Sequence, residues 1–216
     1  MIFTCIGHAK FLIELENGMR IVTDPYDSTC GYPVEPMQAD VVLVSHGHHD
    51  HSAVETIKGN PRVIDQAGTY DLDDGVRVIA VEADHDEAGG TKRGKTLLFS
   101  LQAEDLNAVH LGDLGHLPTQ AQAEAIGPAD VLMVPVGGFY TIDAPTAQQT
   151  AELLHARVVL PMHYKTRVNA DWPIAPVDDF LAICGAASEE LAMLRVAKGD
   201  LMCQPRVAVL KLQSLK

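Results

Sequence analysis

Apolar residues along this chain occur in short runs bounded by turn-forming residues, a pattern typical of β-strands. Eleven such runs predict strands at residues 2–6, 10–15, 20–23, 41–45, 62–64, 76–80, 96–101, 108–111, 131–136, 157–160 and 206–212. Apolar positions at helical spacing predict four helices, at residues 51–58, 119–126, 145–155 and 177–184. Pro145 suits the first turn of the third helix, and we expect Asp143 or Thr146 to cap it.

The order of these elements indicates a layered α/β architecture. A hairpin comes early, because Asn17 and Gly18 between two apolar runs tolerate the positive φ of a tight turn. Strands and helices alternate later, and the runs at 41–44 and 131–134 contain no polar residue, so we expect strands buried on both faces. The pattern predicts sheets covered by helices. Without an internal repeat or a flexible linker, we expect a single domain over residues 1–216.

Composition and charge narrow the class of partner. The chain is 47% hydrophobic and 21% charged, which is a globular balance. Its net charge of −13 repels phosphate backbones and anionic lipid surfaces, so neither nucleic acid nor a membrane is an expected partner. No apolar run approaches the ~20 residues that span a bilayer, and the N-terminus lacks the basic start of a signal peptide.

The four cysteines indicate a reducing environment. Cys5, Cys30, Cys184 and Cys203 show no C-x-x-C spacing. In a chain of this size, we expect them to be reduced and mostly buried thiols, the alternative being a disulfide between two of them. The expected location is therefore cytoplasmic.

Residues 45–51, Ser-His-Gly-His-His-Asp-His, are the strongest chemical signal in the chain. They lie between an all-apolar strand and the next predicted helix. Imidazole and carboxylate groups at this density suit a divalent transition metal such as zinc, manganese, iron or cobalt. A tag or a solvated histidine turn is the alternative, but a tag would be terminal and uninterrupted. The segment therefore predicts a metal site.

The pattern H-x-H-x-D-H after a buried strand resembles the metallo-β-lactamase superfamily. Three later motifs follow in the superfamily's order: Asp84-His85-Asp86, His110-Leu111-Gly112-Asp113 and Pro161-Met162-His163-Tyr164. The resemblance covers about residues 1–165, and the stretches EAGGTKRGK and HLGDLGH are similar to the short stand-alone branch that includes sugar-lactonase-like proteins. It implies a four-layer αββα sandwich with metals held in loops at one edge of the paired sheets.

The resemblance also implies a set of metal ligands. One ion would be held by His46, His48 and His85, and a second by Asp50, His51 and His163, with Asp113 bridging both. The third ligand of the first ion stays open, because His110 and His116 compete with His85. Two divalent ions are expected, with zinc favoured over manganese or iron.

The chemistry of these residues agrees with hydrolysis. Each candidate ligand follows a predicted strand, so a rigid element can hold it. A bridging carboxylate offsets the repulsion of two cations ~3.5–4 Å apart, and a water between them ionises near neutral pH to a nucleophilic hydroxide. His48 occupies a position that is typically Glu in the oxygen-reducing diiron members of the superfamily, which favours hydrolysis over redox chemistry.

Two further residues are expected near the metals. Asp24, in Thr-Asp-Pro-Tyr-Asp, should accept a hydrogen bond from a ligand imidazole, the alternative being a plain Asp-Pro turn. His8, at the end of the first predicted strand, should contact substrate or a leaving group, or else be a structural histidine.

Catalysis and substrate binding have their own candidates. Asp50, Asp113 and His116 are the expected catalytic residues, with His116 as a proton donor. Arg93 is expected to reach an anionic substrate group, since guanidinium pairs with carboxylate or phosphate; a charged, solvated hairpin is the alternative. Tyr140 should line the pocket as a hydroxyl donor.

These observations together predict a metal-dependent hydrolase that cleaves a small, anionic or neutral ester, lactone or phosphodiester. Two alternatives stay open: a nuclease of the same superfamily that processes RNA or DNA, and a non-enzymatic metal-binding protein. The first is disfavoured by the charge, and the second by a ligand set too large for one closed site. The expected partner is a small molecule, and a homo-oligomer is left open.

Overall fold

Two large β-sheets form the centre of the protein in the computed structural model, in which residues 1–185, 188–201 and 206–213 are described. The strands are β1 Ile2–Gly7, β2 Lys10–Glu14, β3 Arg20–Thr23, β4 Met37–Gln38, β5 Val41–Leu43, β6 Ile57–Lys58, β7 Arg62–Ile64, β8 Gly68–Asp71, β9 Arg77–Asp84, β10 Lys95–Ala103, β11 Leu106–His110, β12 Val131–Pro135, β13 Val158–Met162, β14 Ser188–Leu191, β15 Leu194–Arg195 and β16 Arg206–Leu210. The first sheet has the order β15-β1-β2-β3-β5-β7, and the second has the order β14-β16-β13-β12-β11-β10-β9-β8. Strands β4 and β6 form a separate pair.

The first sheet is built on the predicted hairpin. Strands β1, β2 and β3 pair antiparallel, and Leu12 lies opposite Val22. Gly18 has a φ of 88°, a conformation that glycine adopts without strain, and its N–H donates to the Leu15 carbonyl at 3.0 Å. Strands β5 and β7 then join the sheet in parallel. The hairpin prediction at residues 17–18 is confirmed.

Helices connect the strands of the second sheet where these run parallel. Strands β8 to β11 are antiparallel, whereas β12, β13 and β16 are added in parallel. The connecting helices are α1 Gln120–Ile126, α2 Ala144–Leu153 and α3 Val177–Cys184. Asp143 caps α2 by accepting from the Thr146 N–H at 3.0 Å, and Thr119 begins α1 with a capping box. Three of the four predicted helices are confirmed.

Buried apolar side chains form three layers. The largest lies between the two sheets and includes Phe3, Phe11, Phe99, Leu101 and Met133. A second joins the outer face of the second sheet to the helices and includes Leu98, Val109, Leu132, Val134 and Phe180. A third covers the outer face of the first sheet and includes Val22, Val42, Tyr26, Tyr32 and Ile57. The predicted α/β class with two stacked sheets is confirmed.

The predicted helix at residues 51–58 is wrong. The segment contains a 3₁₀ turn at Val54–Thr56 followed by β6, which pairs in parallel with β4. β-Branched Val54, Thr56 and Ile57 lose side-chain freedom in a helix, and Ile57 is buried in the layer outside the first sheet. Loops, 3₁₀ turns and the β4–β6 pair therefore cover that sheet.

Several short strands were not predicted from the pattern of apolar residues. Strands β4, β6 and β15 have only two residues each, and β8 and β14 are rich in polar residues. These segments are strands because they hydrogen-bond to a neighbouring strand. The spacing of apolar residues within a segment does not indicate such pairing. No helix among the described residues is long and apolar enough to cross a membrane.

Candidate metal centre

Five segments that follow strands converge at one edge of the two sheets. His8 follows β1, residues 45–51 follow β5, His85 follows β9, Asp113 lies three residues beyond β11, and His163 directly follows β13. Strand ends are rigid supports, so the side chains that follow them can be held close together. The structure therefore brings together groups that are separated by up to 155 residues of sequence (163 − 8).

One carboxylate oxygen lies at the centre of this convergence. Asp113 Oδ2 is 3.3 Å from His85 Nε2, 3.3 Å from His163 Nε2, 3.4 Å from His51 Nε2 and 3.9 Å from His46 Nε2. The other oxygen, Oδ1, is buried and has no hydrogen-bond partner among the described residues. A carboxylate surrounded by imidazole nitrogens in this way has the position expected of a bridge.

Two groups of nitrogen and oxygen atoms flank Asp113. The first contains His46, His48 and His85, and His46 Nε2 lies 2.9 Å from His48 Nδ1. The second contains Asp50, His51 and His163 together with His8. Within each group the ligand atoms lie within 4.8 Å of one another, which is close enough for one ion to contact all of them.

Asp24 and Ser45 fix the orientation of two imidazoles. Asp24 is fully buried, and its Oδ2 accepts from His51 Nδ1 at 2.9 Å. Its Oδ1 accepts from the Ser45 N–H at 2.7 Å, and the Ser45 hydroxyl donates to Oδ2 at 2.8 Å. The same hydroxyl lies 2.9 Å from His46 Nδ1. Both imidazoles therefore turn Nε2 toward Asp113, an arrangement typical of metal-bound histidine.

Burial and charge set the protonation of the centre. Burial, aided by the neighbouring His163, lowers the pKa of His8 to about 4, and burial likewise lowers the pKa of His46 to about 3. Although burial opposes it, His163 and His51 hold the pKa of Asp113 well below its usual range. Burial also opposes the change at His51, yet Asp113 and Asp24 raise the pKa of His51 well above its ordinary value. The buried carboxylates therefore stabilise positive charge next to them, as at His51, while His8 and His46 favour the neutral form.

This donor set fits divalent ions. Neutral imidazole nitrogens and ionised carboxylates are the groups that zinc, manganese and iron accept as ligands. Three further buried atoms, the Nδ1 atoms of His8, His85 and His163, have no hydrogen-bond partner among the described residues. The residues could thus hold metal in two adjacent groups, both of which lie beside the Asp113 carboxylate.

A cavity of about 370 Å³ opens onto the centre. Its lining residues are His48, His49, Asp50, His85, Arg93, Asp113, Tyr140, His163 and Trp172. The Arg93 guanidinium lies over the Tyr140 ring, 5.6 Å from its centroid, and Arg93 has no ion-pair partner among the described residues. The cavity is therefore lined by a positive group and aromatic rings as well as by candidate metal ligands.

Two of the competing histidines lie outside the centre. His110 Nε2 is 2.9 Å from the Ala9 carbonyl, and its Nδ1 accepts from the Gly112 N–H. His116 Nδ1 is 2.8 Å from the Leu117 carbonyl, and its Nε2 accepts from the Asp84 N–H at 3.2 Å. Because backbone groups occupy both nitrogens of each ring, the structure favours His85 as the third residue of the first group. It also gives no support to His116 as a proton donor, because both of its ring nitrogens contact backbone groups.

Sequence reasoning underestimated two residues. The sequence predicts a substrate contact or a structural histidine at His8, and the structure places its ring against His51 and His163. Ser45 was not singled out, although it orients His46 and bonds Asp24. In the sequence, the feature that could have identified both residues is their position just after a strand that ends at this edge of the sheets.

Comparison with known proteins assigns the chain to a family. Residues 3–163 match the family described as the beta-lactamase superfamily domain. A crystal structure from Thermotoga maritima, described as a candidate Zn-dependent hydrolase of the metallo-beta-lactamase superfamily, is 41% identical with a TM-score of 0.82 and covers 98% of this chain and 99% of its own. The chain belongs to the metallo-β-lactamase superfamily. The predicted membership and fold are confirmed.

Curated relatives agree on the type of activity. A UPF0173 metal-dependent hydrolase of Archaeoglobus fulgidus is 32% identical, covering 77% of this chain and 84% of its own. Another, of Thermococcus onnurineus, is 28% identical, covering 87% of this chain and 94% of its own. The chain is a metal-dependent hydrolase of the superfamily, with a His and Asp cluster able to bind metal.

Proposed function

We propose that this metal-dependent hydrolase holds two divalent ions, zinc by preference, and cleaves a small anionic ester, lactone or phosphodiester. The observation that carries the proposal is the position of Asp113 Oδ2, which lies within 3.3–3.9 Å of four imidazole nitrogens. A single carboxylate in contact with both ligand groups supports two ions rather than one.

In this proposal each ligand group holds one ion. His46, His48 and His85 hold the first, while Asp50, His51 and His163 hold the second, and Asp113 is shared. Bound there, the two ions would supply a hydroxide nucleophile at neutral pH and stabilise the negative charge that develops on the substrate oxygen.

The chain's own residues would orient and charge this site. Asp24 keeps His51 and Ser45 in place, so that the imidazoles of His51 and His46 face Asp113 without rearrangement. Asp50 and Asp113 provide negative charge next to the cavity floor. Burial of these groups limits water and strengthens their interaction with cations.

Arg93 and Tyr140 support an anionic substrate. Arg93 is a cavity-lining cation in a chain with a net charge of −13, and its guanidinium, which lies over the Tyr140 ring, is the type of group that pairs with a carboxylate or phosphate. The cavity volume of about 370 Å³ suits a small molecule. The same net charge disfavours a nucleic-acid substrate.

The remaining features of the proposal concern the protein as a whole. We propose one domain over residues 1–216 and a cytoplasmic location. Cys5, Cys30 and Cys184 are free thiols, which supports a reducing compartment, while Cys203 lies outside the described residues.

The first experiment combines metal analysis with a substrate screen. Protein purified without a metal-affinity step is expected to contain two transition-metal ions per chain and to hydrolyse at least one member of a panel of lactones, esters and phosphodiesters. Asp113→Asn removes the shared charge, so it should lose one ion and reduce kcat/KM by about a hundredfold or more. Arg93→Gln should raise KM for anionic substrates and leave neutral ones unaffected.

Exposed His155 provides the matched control, since His155→Asn removes an imidazole that does not line the cavity. This variant should retain both ions and full activity. One ion per chain, or full activity in Asp113→Asn, would overturn the dinuclear proposal. No hydrolysis of any substrate by metal-loaded protein would instead favour a metal-binding role.

A further inference from the structure

His8 lies within the second ligand group rather than at its edge. The residue is 4% exposed, and its Nε2 is 3.2 Å from Asp50 Oδ2 and 3.2 Å from His51 Nε2. Its ring centroid is 4.2 Å from that of His163. His8 therefore contacts all three residues that the proposed function assigns to the second ion.

Three atoms of this group have the spacing of ligands around a single ion. His8 Nε2, His51 Nε2 and Asp50 Oδ2 form a triangle with sides of 3.2, 3.2 and 3.6 Å. For sides of this length the point equidistant from the corners lies about 1.9 Å from each, and zinc bonds to nitrogen and oxygen are about 2.0–2.2 Å long. A point just outside the plane is thus within bonding distance of all three atoms.

A hydrogen bond between His8 and Asp50 explains less of this arrangement than a shared metal ion does. It accounts for one 3.2 Å contact, but it gives no reason for a second imidazole nitrogen at the same distance. Two nitrogens and one oxygen that approach a common point are typical of a metal site.

The backbone around His8 is also specialised. His8 and His163 both have a left-handed backbone, with φ of 56° and 51°, a conformation that strains a non-glycine residue. The His163 N–H donates to the His8 carbonyl at 3.2 Å, so the two loops are joined. Such strain persists where the surrounding structure requires it, and here it brings both rings to one point.

We propose that His8 is a direct ligand of the second metal ion, in addition to Asp50, His51, His163 and the shared Asp113. The inference rests on the proposed dinuclear site and adds a residue to it. It makes the two ions unequal, since the second would have five protein ligands and the first four, with the exposed His48 among them. The first ion is then the more open and the more easily exchanged.

The test compares metal binding in wild type, His8→Asn and His155→Asn. Asparagine tolerates positive φ, so His8→Asn keeps the backbone while its shorter side chain cannot reach the triangle. His155 also has positive φ, at 49°, and is exposed, which makes His155→Asn the matched control. Each apoprotein is titrated with Co²⁺, followed by its visible absorption, and then with Zn²⁺ against a coloured chelator.

We expect wild type and His155→Asn to bind two ions with the same spectra and affinities. His8→Asn should bind one of the two at least tenfold more weakly, with a changed Co²⁺ absorption for that ion. Two ions with wild-type spectrum and affinity in His8→Asn would overturn the inference and leave the proposed function standing. Fewer than two ions in wild type would overturn the proposed function itself.

A second measurement needs no substitution. In wild-type protein labelled with ¹⁵N-histidine and loaded with ¹¹³Cd²⁺, His8 Nε2 is expected to show a one-bond coupling to cadmium, as His51 and His163 should. A coupling at His51 and His163 without one at His8 would show that His8 only neighbours the ion. This result does not depend on whether His8→Asn folds.

Discussion

Lys10 is the residue whose environment differs most from what its type prefers. It begins β2 with 0% of its surface exposed, and its Nζ has no hydrogen-bond partner among the described residues. Nζ lies over the Tyr26 ring, 5.1 Å from its centroid. Burial lowers the pKa of Lys10 to about 8. An ammonium buried without a counterion destabilises the fold, because its hydration is lost and not replaced.

We therefore expect Lys10→Met to stabilise the protein. Methionine fills a similar volume without a charge, so the free energy of unfolding at neutral pH should rise by about 1–2 kcal/mol. Thermal unfolding of metal-loaded protein at pH 7 measures this, with Lys58→Met at an exposed position as the control. A lower melting temperature in Lys10→Met than in wild type would mean that the ammonium has a partner or role that this interpretation omits.

The loop between β9 and β10 shows how one element positions the cavity wall. The buried Asp86 carboxylate accepts from four backbone N–H groups, those of Ala88, Gly90, Lys92 and Arg93, at 2.8–3.1 Å. Although burial opposes it, these hydrogen bonds lower the pKa of Asp86 to about 2. The loop is thereby closed around a single carboxylate, which holds Arg93 over Tyr140.

Asp86→Ala is expected to loosen this loop without removing the metals. Amide hydrogen exchange in residues 87–94 should be at least about tenfold faster, since four backbone donors lose their acceptor. An anionic substrate should also bind more weakly. Metal content should be unchanged, and Asp73→Ala in an exposed turn should alter neither property. Unchanged exchange would show that other contacts order the loop.

At the scale of the whole molecule, the metal centre joins the two sheets. The first sheet provides His8 and the segment after β5, and the second provides His85, Asp113 and His163. Ions bound to both halves stabilise the folded state, because the unfolded chain does not assemble these ligands.

Metal removal should therefore lower stability. At a free ion concentration about a hundredfold above Kd, each bound ion contributes about 2.7 kcal/mol. We expect chelation to lower the melting temperature by several degrees and Zn²⁺ or Mn²⁺ to restore it, as measured by calorimetry. A melting temperature that chelator leaves unchanged, in protein shown to have lost its ions, would mean that the centre contributes nothing to the fold.

Much of this architecture is legible in the sequence. Apolar runs predicted most of the long strands and three helices, because burial on a regular element imposes a period on the side chains. The histidine-rich segment at 45–51 and the ordered motifs around His85, Asp113 and His163 indicate the superfamily and a metal site, because imidazole and carboxylate groups clustered at strand ends are suited to bind metal.

Only the tertiary structure decided which of these groups meet. His85 lies beside Asp113 whereas His110 and His116 bond to backbone groups, and His8 lies against His51, because of where each ring points after its strand ends. The 3₁₀ turn at Val54–Thr56, where a helix was expected, depends likewise on packing against the first sheet. The spacing of apolar residues within a helix or strand indicates which of its faces is buried. The convergence of lone pairs on one point depends on sheet register and loop conformation, which residues far apart in the chain determine together.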